Sequence, residues 1–458
     1  MRAAAAVLLF CLLLLGIGLA GPPVEGPGYI HDECYQAFTA HRYALGDPDA
    51  WRWGERPVLE KMTKDDLTSA TTYEWVHPPF AKLMMASAIS AFGFTPTVYR
   101  LGSVLCGWLT IAMLLWLGWR SFGPRVGLFA AILVPLEGIF FVMSRVAMND
   151  IYVTAALTGC VAATYKVWKA PGVRRRPWAV VAGLAAGIAI ATKWNAAPTL
   201  VVCGLMVGWC LLRAEKWPAA IALWVLAFVV TPALVYLACY APYFALGHGL
   251  SDLATLQKDI IDFHRGLKAG HSSSSRWYQW PALVRPVWLY QADGVEKDTL
   301  REIYAFGNPA LWWVMFPAVL LTTYRAWREK SVEDAFVAVP FLAVWLPWAV
   351  IGRVTFIQYM LPAVPFGMLA IARTIDHTWR ARAATVGGIY LALAGVCFAY
   401  YYPILTGMSV SSASVQSHHW FWFDAWRPCS GDCDDVGKKW LPMATTAVDT
   451  TTTSTTAP

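Results

Sequence analysis

Long apolar stretches separated by short polar segments dominate the chain. Eleven of them, residues 3–19, 98–119, 126–143, 151–168, 178–192, 199–212, 218–240, 309–323, 335–351, 356–372 and 383–402, are each about long enough to cross a hydrocarbon layer of roughly 30 Å. They are apolar on all faces. In lipid this predicts helices rather than barrel strands, since a helix satisfies its own backbone donors and acceptors. The runs 178–192, 199–212 and 309–323 are the shortest, and their ends are the least sharply defined. A further apolar stretch, 80–94, reads as a re-entrant or interfacial helix. No internal repeat is visible.

Composition agrees with the pattern. Of 458 residues, 57% are hydrophobic and 14% charged, and Trp occurs 25 times; a soluble domain averages about 25% charged residues. The net charge of +7 would suit nucleic acid, but its basic residues lie in short loops between apolar runs. These are Arg120 and Arg125; Lys166, Lys169, Arg174, Arg175 and Arg176; Arg213 and Lys216; Arg325, Arg328 and Lys330; Arg373, Arg380 and Arg382. That is the bias of cytoplasmic loops. With the N-terminus inside, every such loop falls on the cytoplasmic side and the C-terminus is outside. Nucleic acid is not an expected partner; membrane lipids are.

The chain then divides into residues 1–97, a first transmembrane helix and a long external loop that would hold the catalytic residues of an enzyme; 98–240, a transmembrane core of helices 2–7; 241–308, an external loop; 309–402, helices 8–11; and 403–458, an external tail. The first run has a second reading. Met1-Arg2, the apolar stretch and Gly18-Leu19-Ala20 also fit a cleavable signal peptide, whose removal would leave ten spans in the same orientation. In the tail, Trp420, Phe421, Trp422, Phe423 and Trp426 suit a membrane interface. The terminal TTTSTTAP is low-complexity, expected to be disordered and suited to O-glycans. Seven of the ten Cys lie in apolar runs as small hydrophobes. Cys34, Cys429 and Cys433 are external, and the last two enclose Ser-Gly-Asp, a spacing open to a disulfide on an oxidising side.

External ionisable residues are few and sharply placed. Asp32 and Glu33 follow the first run; His77-Pro78-Pro79 and Lys82 come later in the same loop. Glu137 lies inside the third run near its outer end, Arg145 ends that run, and Asp150 opens the next. Lys193 caps the fifth run and Arg353 sits in the turn between the ninth and tenth. Charges at a membrane are costly and mark function by default. Acidic groups beside Arg and Lys suit an anionic lipid headgroup and a neutral nucleophile: a carboxylate can take a hydroxyl proton and fixed cations can stabilise a departing phosphate. Each residue also has a plainer reading. The acidic pair could be solvated helix-flanking charge, Arg145 a helix-end residue, and Lys193 beside Trp194 a snorkelling anchor. His77 could shape its loop. Glu137 needs a partner, and Arg145 two turns on is too far for an i,i+4 pair, which points to pairing across helices. The Trp-rich word 277–290 reads as interfacial packing, and His418-His419 lacks the further ligands of a metal site.

Several local words resemble the protein O-mannosyltransferase family of GT-C glycosyltransferases. They are Asp32-Glu33, HPPFAKLMMA (77–86), EGIFFVMSRVAMND (137–150), GLAAGIAIATKW (183–194), RWYQWPALVRPVWLY (276–290), GNPALWW (307–313) and RVTFIQYMLPAVPF (353–366), in the family's order along most of the chain. The resemblance implies an all-α polytopic GT-C fold with about eleven transmembrane helices. It implies an external site where a polyprenyl-phosphate sugar, usually mannose, meets a secreted or membrane protein. A Ser or Thr hydroxyl would attack the anomeric carbon with inversion. On this match Asp32 is the base, and Glu33 supports acceptor or sugar positioning. Arg145, with Lys193 and Arg353, binds the lipid phosphate, and His77, Lys82, Glu137 and Asp150 support the site or touch substrate. No cofactor or metal is implied beyond the lipid-linked donor. The location implied is a plasma membrane in a prokaryote or the endoplasmic reticulum in a eukaryote.

The chain departs from the family in a longer, more charged stretch between Glu33 and His77 (Glu60, Lys61, Lys64, Asp65, Asp66), in HPPFAK for the usual HPPLGK, with Ala81, and in Glu137 where Asp is common. These bear on the acceptor. The same fold could glycosylate a lipid or glycan. A secondary transporter, the alternative from a different class, should show repeats and polar groups at the bilayer midplane, whereas here the charges keep to one edge.

Overall fold

The computed structural model describes residues 2–17, 29–52, 72–267, 271–292 and 298–427. The charged stretch at 60–66, the 18–20 cleavage word, Cys429 and Cys433 and the Thr-rich tail lie outside them. Each apolar run forms helix. In chain order the helices are α1 (Arg2–Ile17), α2 (Glu33–Ala44), α3 (Phe80–Phe92), α4 (Pro96–Phe122), α5 (Pro124–Leu133) and α6 (Gly138–Met143). Next come α7 (Asn149–Lys169), α8 (Arg176–Ile190), α9 (Ala197–Leu212), α10 (Trp217–Val225), α11 (Thr231–Cys239), α12 (Ala241–Ala245) and α13 (Leu250–Gly266). The last five are α14 (Pro309–Arg328), α15 (Val332–Trp345), α16 (Val364–Trp379), α17 (Ala383–Thr406) and the short α18 (Ser412–Gln416).

The helix starts are written locally. Thr95 accepts from the Val98 N–H with Pro96 at the first helical position, Asn308 accepts from the Ala310 N–H ahead of Pro309, and Ser331 accepts from the Asp334 N–H. Five helical stretches among the described residues are long and apolar enough to cross a membrane by length and composition: Pro96–Phe122, Trp194–Leu212, Trp217–Cys239, Val332–Val350 and Ile357–Thr406, the last of which contains α16 and α17. They expose Leu205, Leu234, Ile389 and Val396, apolar surface suited to lipid.

Two runs depart from simple spans. The third breaks at Pro135: α5 ends, a short 3-10 turn covers Val134–Leu136, and α6 begins after Glu137. Glu137 therefore stands between two helices rather than within one, and its buried Oε1 has no hydrogen-bond partner among the described residues. Its Oε2 accepts from the Phe140 N–H at 2.8 Å and caps α6. The seventh run contains a π-helical turn, Leu226–Val230, ahead of Pro232. Pro232 has no N–H to donate, and Thr231 Oγ1 donates instead to the Leu226 carbonyl. Against this turn α8 packs so closely that a Cβ on Gly183 would lie 1.8 Å from the Ala227 carbonyl oxygen, and one on Gly187 2.9 Å from Pro232 Cα. Glycines four apart make that approach possible.

At one end of the bundle the loops fold back as a layer. The 80–94 stretch is α3, which packs on α2 and α4. The 241–308 segment holds the amphipathic α13, which buries Leu253, Leu256 and Ile260, and a small sheet. Strand β1 (Val287–Gln291), β2 (Thr299–Leu300), β3 (Glu302–Ala305) and β4 (Val410–Ser411) pair antiparallel as β1–β3 and β2–β4, with an irregularity between Trp288 and Tyr290. The Trp-rich word and the tail aromatics make part of this layer's core: Trp280 and Trp426 are buried, and their indole N–H groups donate to the Ser275 and Ala282 carbonyls. Trp422 and Phe423 remain exposed beside them.

Candidate active site

Asp32 and Glu33 stand at the start of α2 and have opposite environments. Glu33 is fully buried, and its carboxylate accepts four hydrogen bonds. Arg100 Nε and Nη2 donate to Oε1 and Oε2 at 2.8 and 2.6 Å, and the Ala147 and Ile30 N–H groups donate to the same oxygens at 2.7 Å each. This ties α2 to α4 and to the α6–α7 connection, a bidentate clamp that fixes geometry. The Asp32 side chain keeps 47% of its exposure; its Oδ2 lies 3.7 Å from His31 Nε2 and makes no cap hydrogen bond. His31 holds a left-handed backbone, φ 52°, the bend through which the chain enters α2.

A second carboxylate in the first loop, Glu74, is absent from the sequence expectations. It is buried and ion-paired with Lys82, while His77 Nδ1 donates to its Oε1 at 2.7 Å. Burial alone would raise the Glu74 carboxyl, but the Lys82 ammonium and the His77 ring together hold it down at about 2. Lys82 also donates to the His77 carbonyl at 3.0 Å. Lys82 is thereby spent on the loop, and His77 is held with its ring at the edge of a cavity.

That cavity, of about 500 Å³, is lined by the polar His77, Lys193, His264, Arg265, Arg353 and Tyr359 and by the apolar Trp348, Val350 and Ile351. Lys193 comes from the α8–α9 turn. Its Nζ donates to Asp150 Oδ1 at 2.8 Å, at the first turn of α7, and sits 5.0 Å from the centre of the Tyr359 ring. Asp150 Oδ2 has no hydrogen-bond partner among the described residues. Arg353 follows α15: Nη2 donates to Tyr359 Oη at 3.1 Å and Nη1 to His264 Nδ1. His264 Nε2 donates to the Val76 carbonyl at 2.9 Å, so its Nδ1 is the lone-pair nitrogen. Burial first, then His77 and Arg353, push this imidazole down to about 4. A neutral His264 thus latches α13 over the cavity without neutralising Arg353.

Segment 271–275 is buried at Ser273, Ser274 and Ser275. Its His271 ring packs edge-on against Phe356, and Nδ1 accepts from the Ser273 N–H. Burial and then His31 lower this imidazole, with Asp32 acting the other way. At the other end of the segment the Ser275 N–H donates to the Thr355 carbonyl and Thr355 Oγ1 donates back to that of Ser275, two residues from Arg353.

The structure therefore divides the three expected phosphate cations. Lys193 and Arg353 line one cavity. Arg145 does not: it is buried behind the Glu33–Arg100 clamp, 4.6 Å over the Phe141 ring, and its Nε and Nη1 have no hydrogen-bond partner among the described residues. Arg100, Glu74 and His264 went unmarked in the sequence. Arg100 begins an apolar run, Glu74 sits three residues before His77, and His264 ends an amphipathic helix; that spacing of Glu and His was the one usable signal. No group of three or more His, Cys, Asp or Glu side chains placed to hold a metal ion occurs among the described residues.

A buried helical bundle with cations and carboxylates gathered in loops at one end defines a GT-C membrane glycosyltransferase fold. The protein O-mannosyltransferase Pmt1-Pmt2 complex of S. cerevisiae, bound to the sugar donor, superposes with a TM-score of 0.74 at 14% identity over 93% of this chain and 92% of that one. ArnT from Cupriavidus metallidurans, bound to undecaprenyl phosphate, follows with a TM-score of 0.57 at 18% identity, over 86% and 63%. Family models for dolichyl-phosphate-mannose-protein mannosyltransferase and for the C-terminal four-TMM region of protein-O-mannosyltransferase match residues 76–249 and 249–426. The chain belongs to the protein O-mannosyltransferase family. It is 28% identical over 434 residues to the polyprenol-phosphate-mannose–protein mannosyltransferase of Mycobacterium tuberculosis, covering 77% of this chain and 81% of that protein. The enzyme of the same name from Corynebacterium glutamicum is 25% identical over 433 residues, at 77% and 81%.

Proposed function

We propose that this multi-pass membrane enzyme transfers mannose from a polyprenyl-phosphate carrier to Ser and Thr hydroxyls of proteins, at the end of the bundle that holds Asp32. The observation that carries the reading is the mixed lining of the cavity. Lys193 and Arg353 offer positive charge, while Trp348, Val350 and Ile351 offer an apolar rim, and Val350 is 86% exposed where lipid would lie. An amphiphile with a phosphate head and a hydrocarbon tail matches both. Asp32 is the one of the two adjacent carboxylates with exposure left to meet an acceptor.

The reaction balances without a redox step. The acceptor hydroxyl gives its proton to the Asp32 carboxylate as its oxygen bonds to the anomeric carbon from the face opposite the leaving group. The bond from that carbon to the phosphate oxygen breaks, and the electron pair departs with the lipid phosphate. Lys193 and Arg353 hold the charge that develops on the phosphate, so the step is assigned to side chains alone, without a metal. Glu33 contributes by fixing α2, and Arg145 by its charge beside the clamp. Eleven membrane crossings, with the N-terminus inside and the C-terminus outside, place the basic loops opposite the site.

The test is to incubate purified protein in liposomes with polyprenyl-phosphate mannose and a Thr-rich peptide, and to read the anomeric configuration of the product by NMR. Mannose on Thr in the configuration opposite to the donor is expected. Transfer with retained configuration would overturn the single displacement, and no transfer to peptide, with transfer to lipid or glycan instead, would overturn the acceptor.

A further inference from the structure

A second cavity, separate from the candidate active site, runs along the outside of the bundle between α3, α4, α7 and α8. It holds about 800 Å³ and its wall is almost wholly apolar, with Met84, Leu109, Trp116, Ala156, Leu184 and Ile188 among its residues. The two cavities share no lining residue, and the Phe80 N–H donates to the Ala191 carbonyl at 3.0 Å, pinning the start of α3 to the end of α8. Met84, Leu109 and Leu184 are each more than 40% exposed, so the groove opens sideways to the hydrocarbon layer.

Its far end carries a charge. Helix α7 is 21 residues long, about 31 Å at 1.5 Å per residue, the thickness of a hydrocarbon core. Asp150 of the candidate site stands at one end and Lys166 and Lys169 at the other. These two lysines differ. Lys169 pairs with Glu333. Lys166 lines the groove, with its ammonium 4.9 and 5.2 Å from the centres of the Trp116 and Trp178 rings and no carboxylate partner among the described residues. A half-buried cation at headgroup depth, stacked on two indoles and closing an apolar groove, complements an anionic head above a hydrocarbon chain.

We infer that the α3–α4–α7–α8 groove is a binding site for an anionic phospholipid of the leaflet opposite the active site, its chain lying along α4 and α7 and its phosphate meeting Lys166. This is a lipid distinct from the sugar donor, whose phosphate faces the opposite end of the bundle.

Delipidated protein in detergent, mixed with equal amounts of phosphatidylglycerol and phosphatidylcholine of identical chains, tests this by native mass spectrometry. Wild type is expected to retain one phosphatidylglycerol in preference. Lys166→Gln, at a half-exposed position, should reduce that preference about 5-fold, the worth of one cation at a charged headgroup. Ala156→Phe, which fills the groove, should reduce retention of both lipids. Added polyprenyl phosphate should bind alongside the phospholipid. Equal retention of the two lipids by wild type, or an unchanged preference in Lys166→Gln, would overturn the site. Displacement of phosphatidylglycerol by polyprenyl phosphate would make the groove part of the donor site instead. Loss of the lipid on formation of a dimer would make it an interface between copies.

Discussion

The two charged ends of this bundle use the same residue types differently. At the end away from the site, Asp334 is fully buried and gripped from three sides: Arg373 Nε at 3.2 Å, Arg325 Nε at 3.4 Å, and Ser331 Oγ, which donates at 2.6 Å. Lys169 closes on Glu333 and Arg176 on Glu215. Those pairs join α14, α15 and α16, α7 to α15, and α8 to the α9–α10 turn, and they take up the buried carboxylate of that end, while Lys166 keeps no carboxylate partner among the described residues. At the other end the pairs Glu33–Arg100 and Glu74–Lys82 are just as closed, but Asp32 is half-exposed, and Lys193 and Arg353, each with a partner of its own, still line a cavity. The lesson is that charge at a membrane edge does not locate chemistry by itself. An incomplete shell next to complete ones does, because the complete ones hold it still.

The comparison can be broken by substitution. Glu33→Gln removes the charge that Arg100 needs in a buried clamp, and should cost about 3–5 kcal/mol of stability; Asp334→Asn should cost a similar amount at the other end. Both losses would be read as earlier thermal unfolding in detergent, with transfer by the protein that remains folded kept for Asp334→Asn. A mild effect of Glu33→Gln would mean that the clamp is not closed. Arg353→Ala should leave the fold intact and raise KM for the lipid-linked donor by roughly 10-fold, the worth of one charged hydrogen bond. Unchanged donor KM would remove Arg353 from the phosphate site.

Smaller effects sharpen the contrast. His264 is neutral in the fold down to about 4, against an ordinary value of 6.5. The unfolded chain therefore binds a proton in that interval while the folded one does not, and stability falls as pH drops from about 6.5 to 4. Glu74, held at about 2 against 4.5, adds its own loss only below about 4.5. Melting temperatures measured between pH 7 and 5 should decline less in His264→Gln than in wild type. The smallest effect belongs to Arg125, 60% exposed and 3.4 Å from Asp376: Arg125→Gln should cost less than about 1 kcal/mol.

Much of this was legible in the chain. The described residues of the eleven apolar runs are almost all helical, and Asp32, His77, Lys193 and Arg353 stand out in the chain as ionisable residues between those runs. What stayed hidden was pairing. Whether Asp32 or Glu33 is the closed carboxylate depends on Arg100, 67 residues on from Glu33, and nothing local distinguishes them. The break at Pro135 was masked because apolar residues flank it on both sides. Arg145 and Lys193 looked alike as end-of-run cations, and only the third dimension puts one behind the clamp and the other in a cavity wall. The helix and sheet within 241–308 were missed because length and hydropathy register spans, and these elements are too short or too amphipathic to count.

The central claim is that Asp32 reacts while Glu33 holds. Single-turnover mannose transfer by Asp32→Asn, with donor binding measured on the same sample, tests it most directly. The account predicts donor affinity within a few-fold of wild type and transfer slowed by about 10²–10⁴, the usual worth of a general base. Transfer at the wild-type rate with donor bound would contradict it.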